Sequence, residues 1–117
     1  MFKEIKIGDK TVPMLAKASC NIYYKSVFGE DPIRITAQAA KDGLDDEVGV
    51  HFAWQMAYIF AMAAEAQGHR EKMLNLNLDT YAEWLDQFDT GDLFAAMTEV
   101  MTLYNGERPD SKEKKAE

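Results

Sequence analysis

The chain has 117 residues, of which 47% are hydrophobic and 28% charged, so it is long enough to bury a core as one domain without disulfides. Its net charge is −7, and its only cluster of basic residues is formed by Lys112, Lys114 and Lys115. Because nucleic-acid binding needs a basic face, we expect no nucleic-acid partner. A single cysteine, Cys20, and no secretory leader favour a reducing cytoplasm.

The N-terminal residues follow the two-residue period of β-strands. Apolar and charged residues alternate before a turn at Gly8-Asp9, and a second β-prone run follows. We predict a hairpin over about residues 2–15, in which Pro13 ends the second strand or confines it to a sheet edge. Two strands alone are marginally stable, so the hairpin must pack on helices.

Helical periodicity begins after the hairpin. Apolar side chains recur three and four apart over about residues 18–28, which predicts the first helix. Ser19 is a candidate N-cap for this helix. Gly29 stands where a left-handed glycine commonly ends a helix.

A second short helix starts at Asp31-Pro32. Aspartate at the N-cap accepts a backbone N–H, and proline at the first helical position has no N–H to lose, so the pair is a specific start signal. We expect this helix over about residues 32–41, with Gly43 ending it.

The most apolar stretch is Val48–Ala64, in which His51 and Gln55 alone are neither apolar nor glycine. Its length approaches the roughly 18 residues that would suggest a membrane span. However, the two polar residues lie four apart on one helical face, and the preceding flank is acidic. We therefore predict a central, mostly buried helix over about residues 46–67, capped by Asp45, and no membrane association.

The segment after this helix is ambiguous. Residues 69–72 form a polar segment after the helix, and leucines then alternate with asparagines over residues 73–78. That alternation fits either an extended connector or a short strand. Thr80 and Glu83 match the capping box that opens a helix, here over about residues 80–88.

The last predicted helix covers about residues 92–105, and the polar residues 107–117 are expected to be a disordered tail. The helix has apolar residues close to a heptad seam, and we expect it to expose them to a partner helix or a second copy: Leu93, Met97, Val100 and Tyr104. The predicted fold class is mainly α (α+β). It is a single domain over residues 1–106, a small helical bundle around a long central helix with an N-terminal β-hairpin.

Two patterns suggest chemistry, and both have simpler interpretations. Asp89-Thr90-Gly91 is the active-site triplet of aspartic proteases, which as dimers pair two such carboxylates in a β-rich fold. Between two helical patterns we favour a helix–helix turn in which the threonine caps the last helix. Glu65 and His69 lie four apart, but without a second ligand cluster they are weak metal candidates. We predict no catalytic residue, no metal and no cofactor.

Two segments carry a recognisable pattern. Residues 21–31, NIYYKSVFGED, contain aromatic-x-x-x-Phe-Gly-x-Asp, and residues 81–88 read YAEWLDQF. A helix ending in Leu-Tyr-Asn-Gly and a lysine-rich end follow. This order resembles the tail assembly chaperones of long-tailed phages and prophages, especially those of Gram-positive phages, which carry a similar "EEWLD-x-F" segment. Pro32 departs from the family pattern, which usually has an aliphatic residue there.

The resemblance implies a non-enzymatic function. Such chaperones bind the long, helical tape measure protein and keep it soluble in the host cytoplasm before the tail tube polymerises. They are absent from the mature virion and often self-associate. A ribosomal frameshift often adds an extension that recruits the tail tube protein, and Lys114-Lys115 is where a slippery codon pair could lie.

Composition is compatible with this function. Seven methionines and 11% aromatic residues suit an adaptable protein surface, although core packing could equally use them. A small prophage-encoded structural or regulatory adaptor is the main alternative, and a dimeric aspartic protease using Asp89 is a further one. A tape measure gene directly downstream would favour the chaperone over the adaptor. The candidate partner-binding residues are Tyr24, Phe28, Trp84, Phe88, Leu93, Met97, Val100 and Tyr104.

Overall fold

The computed structural model describes residues 1–43 and 45–106. In this part of the chain a two-stranded antiparallel hairpin precedes six helices, and the predicted mainly helical fold around a long central helix is confirmed. The predicted tail, residues 107–117, lies outside the described residues. The elements in chain order are β1 Phe2–Ile7, β2 Lys10–Leu15, α1 Cys20–Phe28, α2 Pro32–Asp42, α3 Asp46–Ala66, α4 Arg70–Met73, α5 Leu78–Leu85 and α6 Thr90–Gly106.

The hairpin packs one face on the helices, with β2 against α3 and β1 against α6. Ile5, Ile7 and Met14 lie on that face and are buried. Met1 and Ala16 exchange two backbone hydrogen bonds, of 2.7 and 2.8 Å, just beyond the strands. Because such pairs alternate along an antiparallel ladder, the nitrogen of Pro13 faces away from β1. This is the predicted edge position, where the missing N–H costs no ladder bond.

The turn of the hairpin lies close to the start of α6. Gly8 has a φ of 68°, and a Cβ at this position would lie 2.4 Å from a carboxylate oxygen of Asp92. Glycine satisfies both the left-handed backbone and the close approach. The tip of the hairpin therefore lies close against the first turn of α6.

Most of the predicted start and stop signals of the first three helices are found in the structure. The carboxylates of Asp31 and Asp45 each accept a hydrogen bond of 3.0 Å from the N–H two residues on, at the starts of α2 and α3. Gly29 adopts the left-handed conformation after α1, with a φ of 78°. Ser19 holds the predicted N-cap position of α1, but its side chain makes no capping hydrogen bond.

The start of α5 differs from the prediction. The helix spans Leu78–Leu85 rather than 80–88, and its capping box joins Asn77 and Thr80 instead of Thr80 and Glu83. The Asn77 side chain accepts from the Thr80 N–H, and the Thr80 hydroxyl accepts from the Asn77 N–H, both at 3.0 Å. Asparagine is as good an N-cap as threonine, and the earlier box lengthens the helix at its start.

The segment between α3 and α5 is a connector and not a strand. Residues 69–72, predicted as a polar segment after the central helix, lie mostly within the one-turn helix α4. That helix follows Gln67, which ends α3 in the left-handed conformation, and buries Met73 against the core. Four residues are too few to show helical periodicity in the sequence, which is why the pattern missed α4.

The core surrounds α3. Ten of its twenty-one residues are buried, which is the distribution of a helix enclosed on most sides. The two polar residues of its apolar stretch separate: His51 is exposed, whereas Gln55 is partly buried and accepts a hydrogen bond from the Tyr24 hydroxyl of α1. Among the described residues, no helix is long and apolar enough to cross a bilayer.

The two possible capping boxes of α5 make different predictions. We expect Asn77→Ala to lower the free energy of unfolding by about 1 kcal/mol, because the first turn of α5 loses its cap. Glu83→Ala, which removes an exposed side chain outside the observed box, should change it by less than about 0.5 kcal/mol. Urea denaturation of both variants measures this, and the opposite ranking would contradict the observed helix start.

Candidate functional site

The two segments of the family-like pattern meet at one residue of α3. The ring centroid of Tyr58 lies 6.5 Å from that of Phe28 on α1, 5.3 Å from Tyr81 and 5.8 Å from Trp84 on α5. Phe28 and Tyr81 also contact each other directly, edge to face at 5.0 Å. These spacings are favourable for aromatic pairs, so α1 and α5 are joined through the central helix.

The hydroxyl groups of two buried tyrosines add hydrogen bonds between the helices. The Tyr58 hydroxyl is hydrogen-bonded to the Thr80 hydroxyl at 2.5 Å, which ties α3 to the capping box of α5. The Tyr104 hydroxyl of α6 donates to the Asn21 amide oxygen of α1 at 3.0 Å. Each tyrosine thus places its ring in the core and its oxygen on a polar partner.

Burial makes these phenols harder to ionise. It raises the pKa of Tyr81 to about 12 from 10.0. Burial also raises the pKa of Tyr24, with a further contribution from the negative charge of Glu30. The pKa of Tyr58 is raised by burial, against the opposing effect of its hydrogen bond to Thr80. The shifts reflect packing, because each has desolvation as its largest cause.

Most candidate partner-binding residues lie in the core. The expectation that α6 exposes a seam is wrong, because that seam packs on α3 and β1. Phe28, Phe88 and Met97 are half-buried. The buried candidates are Tyr24, Trp84, Leu93, Val100 and Tyr104.

Sequence reasoning missed the apolar side chains that do reach the surface. Ile22 of α1 is 69% exposed and Ile33 of α2 is 60% exposed. Leu74 and Leu78, on either side of the connector before α5, are also exposed. Ile22 lies off the face of α1 that carries the aromatic residues. Its position in the helical repeat was therefore the sequence signal that could have predicted its exposure.

An open groove runs between the start of α1 and one face of α2, and we call it the α1–α2 groove. Its volume is about 330 Å³. Among the described residues, its lining includes one charged side chain, Lys17, and no carboxylate. The other lining residues are mostly small or apolar: Ala16, Ala18, Asn21, Ile33, Thr36, Ala37, Ala40, Phe60 and Tyr104.

The triplet at residues 89–91 lies in the turn between α5 and α6. Asp89 is exposed, and its carbonyl accepts the Leu93 N–H at 3.1 Å, which is the first bond of α6. Asp89 therefore holds the N-cap position, and the prediction that Thr90 caps this helix is wrong, since Thr90 is the first helical residue. Within the described part of the chain, no three histidine, cysteine or acidic side chains are arranged to hold a metal ion.

Comparisons of this chain with protein-family models, curated proteins and solved structures find no match. The chain's own geometry is therefore the basis for a functional proposal. It offers a polar-rimmed apolar groove and scattered exposed apolar side chains on a protein of charge −7.

Ionisation of Tyr81 predicts alkaline destabilisation. Its folded-state pKa of about 12 exceeds the unfolded value of 10.0, so its contribution to stability is fully present below pH 10 and is lost as pH rises toward about 12. Tyr81→Phe cannot ionise, and its stability should fall less over that interval. Urea unfolding across this pH range measures the difference, and equal falls in both proteins would contradict the assignment.

Proposed function

We propose that this protein is a phage tail assembly chaperone that binds a tape measure protein and keeps it soluble before the tail tube polymerises. The observation that supports this most is the apolar surface: among the described residues, eight large hydrophobic side chains are at least two-fifths exposed, on a chain of charge −7. Such a surface offers contact area to an apolar client, while the net charge opposes self-aggregation.

The Phe-Gly-x-Asp part of the family-like pattern has a structural function in this proposal. Phe28 anchors the end of α1 on Tyr58 and Tyr81, Gly29 turns the chain in the left-handed conformation, and Asp31 caps α2. Together these residues determine how α2 leaves α1. They therefore shape the α1–α2 groove without lining it.

The client surface differs from the one expected from sequence. Leu93 and Val100 are committed to the core and cannot contact a client without unfolding of α6, whereas Tyr104 is largely buried but lines the α1–α2 groove. The exposed Ile33 lines the groove, and the exposed Ile22 follows the lining residue Asn21 in α1. Client helices would bury their apolar faces here, which is the recognition mode of an amphipathic helix in a groove.

The same proposal carries further expectations. The protein would act in the cytoplasm of the bacterial host and be absent from the mature virion. The protein would self-associate during the same assembly step. A frameshifted longer form would recruit the tail tube protein. No catalytic residue, cofactor or metal is required by this function.

Co-expression tests the proposal. We expect the chain to increase the soluble fraction of a tape measure protein from a long-tailed phage, ideally the one encoded beside it, because apolar client helices are covered before they aggregate. Soluble and pelleted client are quantified after lysis, with an unrelated acidic helical protein of similar size as the control. No gain over that control, with the chain shown to be folded by circular dichroism, would refute the function.

A further inference from the structure

Helix α2 leaves an apolar face without a partner. Pro32 is the one buried residue of this helix, all of whose residues are described. Ile33, Ala37 and Ala40 are exposed and recur at the i, i+4, i+7 spacing of one helical face. That face is one wall of the α1–α2 groove.

The rest of the groove favours close approach of a helix. Ala16 and Ala18 form the opposite wall, and Phe60 and Tyr104 add aromatic surface beneath. Small side chains on both walls let another backbone come near, as they do where helices pack tightly. A volume of about 330 Å³ accepts the side chains that project from one helical face rather than a whole helix.

The chain's own C-terminal residues do not suit this groove. Residues 107–117, ERPDSKEKKAE, contain no apolar side chain besides those of Pro109 and Ala116. An apolar groove gains little by burying such a segment, so residues 107–117 are not the occupant that its lining favours.

Charge at the groove indicates which helix fits. Lys17 lines it, Lys41 follows Ala40 at the end of α2, and both are exposed. No carboxylate lines the groove among the described residues, although acidic residues outnumber basic ones by twenty to thirteen in the chain. An exposed lysine in a groove whose described lining holds no carboxylate favours a partner with carboxylates beside its apolar face.

We propose that the α1–α2 groove binds an amphipathic helix that has small or aliphatic residues at i, i+4 and i+7 and carboxylates along one flank. This inference rests on the proposed chaperone function, in which the helix belongs to the tape measure protein. The apolar residues enter between Ala37 and Ala18, and the carboxylates meet Lys17 and Lys41. The client is thereby recognised by the order of apolar and acidic residues rather than by hydrophobicity alone.

Two fluorescent peptides of equal length test the groove in the full-length protein. Both carry leucine and alanine at the i, i+4 and i+7 positions, and one has glutamate along the flank where the other has lysine. We expect the glutamate peptide to bind at least about tenfold more tightly by fluorescence anisotropy, with affinity falling as salt rises. Equal affinities for the two peptides would overturn the proposal, as would no binding of either.

Substitutions locate the binding. Ala37→Glu should weaken the glutamate peptide at least about tenfold, because it places a carboxylate in the apolar wall. Ala95→Glu, at an exposed alanine within α6, is the matched control and should leave affinity unchanged. The double variant Lys17→Glu, Lys41→Glu should reverse the preference toward the lysine peptide. Unchanged binding in Ala37→Glu, with circular dichroism identical to wild type, would exclude this groove.

Two further measurements separate this inference from the function on which it rests. If the wild-type chain solubilises a tape measure protein and Ala37→Glu does so equally well, the groove is wrong and the function stands. If no client is solubilised while the glutamate peptide still binds, the function is wrong and the groove stands. Sedimentation that shows a dimer lost in Ala37→Glu would identify a second copy as the occupant and would overturn the proposal.

Discussion

The packing of Tyr58 is the constraint on which the arrangement of helices depends. Its ring is fully buried and touches side chains of both α1 and α5, while its hydroxyl bonds to the residue that closes the capping box of α5. Helix α5 has few other contacts with α3, so its orientation follows from these aromatic pairs and this hydrogen bond. Aromatic rings with a polar end suit such a position, because one side chain supplies both a large buried area and a directional bond.

Capping residues and hydrophobic periodicity made much of the fold predictable from the sequence. The errors arose where these local signals were compatible with more than one structure. Asp31 and Asp45 start helices because a carboxylate caps a helix regardless of what the helix packs against. The start of α5 was misplaced because Asn77 and Thr80 are both good caps three residues apart, and one sequence offers two overlapping boxes. The burial of the α6 seam was missed for a different reason. A row of apolar residues gives the same sequence pattern whether it packs in the core or binds a partner.

The candidate site could be predicted only in part, and the reason is structural. The pattern in residues 21–31 and 81–88 was visible in sequence, but its aromatic residues turn out to hold elements together. Side chains that support a fold are constrained by many neighbours and so form recognisable patterns. The groove is lined by alanines, which carry almost no sequence signal, and its walls come from segments about twenty residues apart. Only their arrangement in space shows that they form one surface.

The positions of the methionines decide what kind of binding surface this protein has. Met14, Met56 and Met73 are buried, and three of the other four are half-buried, so core packing has used most of the flexible side chains. At the α1–α2 groove the exposed apolar side chains are alanines and the β-branched Ile33, whose side chains have few rotamers to lose or to adapt with. A surface of stiff, small side chains cannot reshape itself around many partners as a methionine-rich surface can. It gains affinity from complementary shape at low entropic cost, which favours selective recognition of one class of helix over broad capture of unfolded chains.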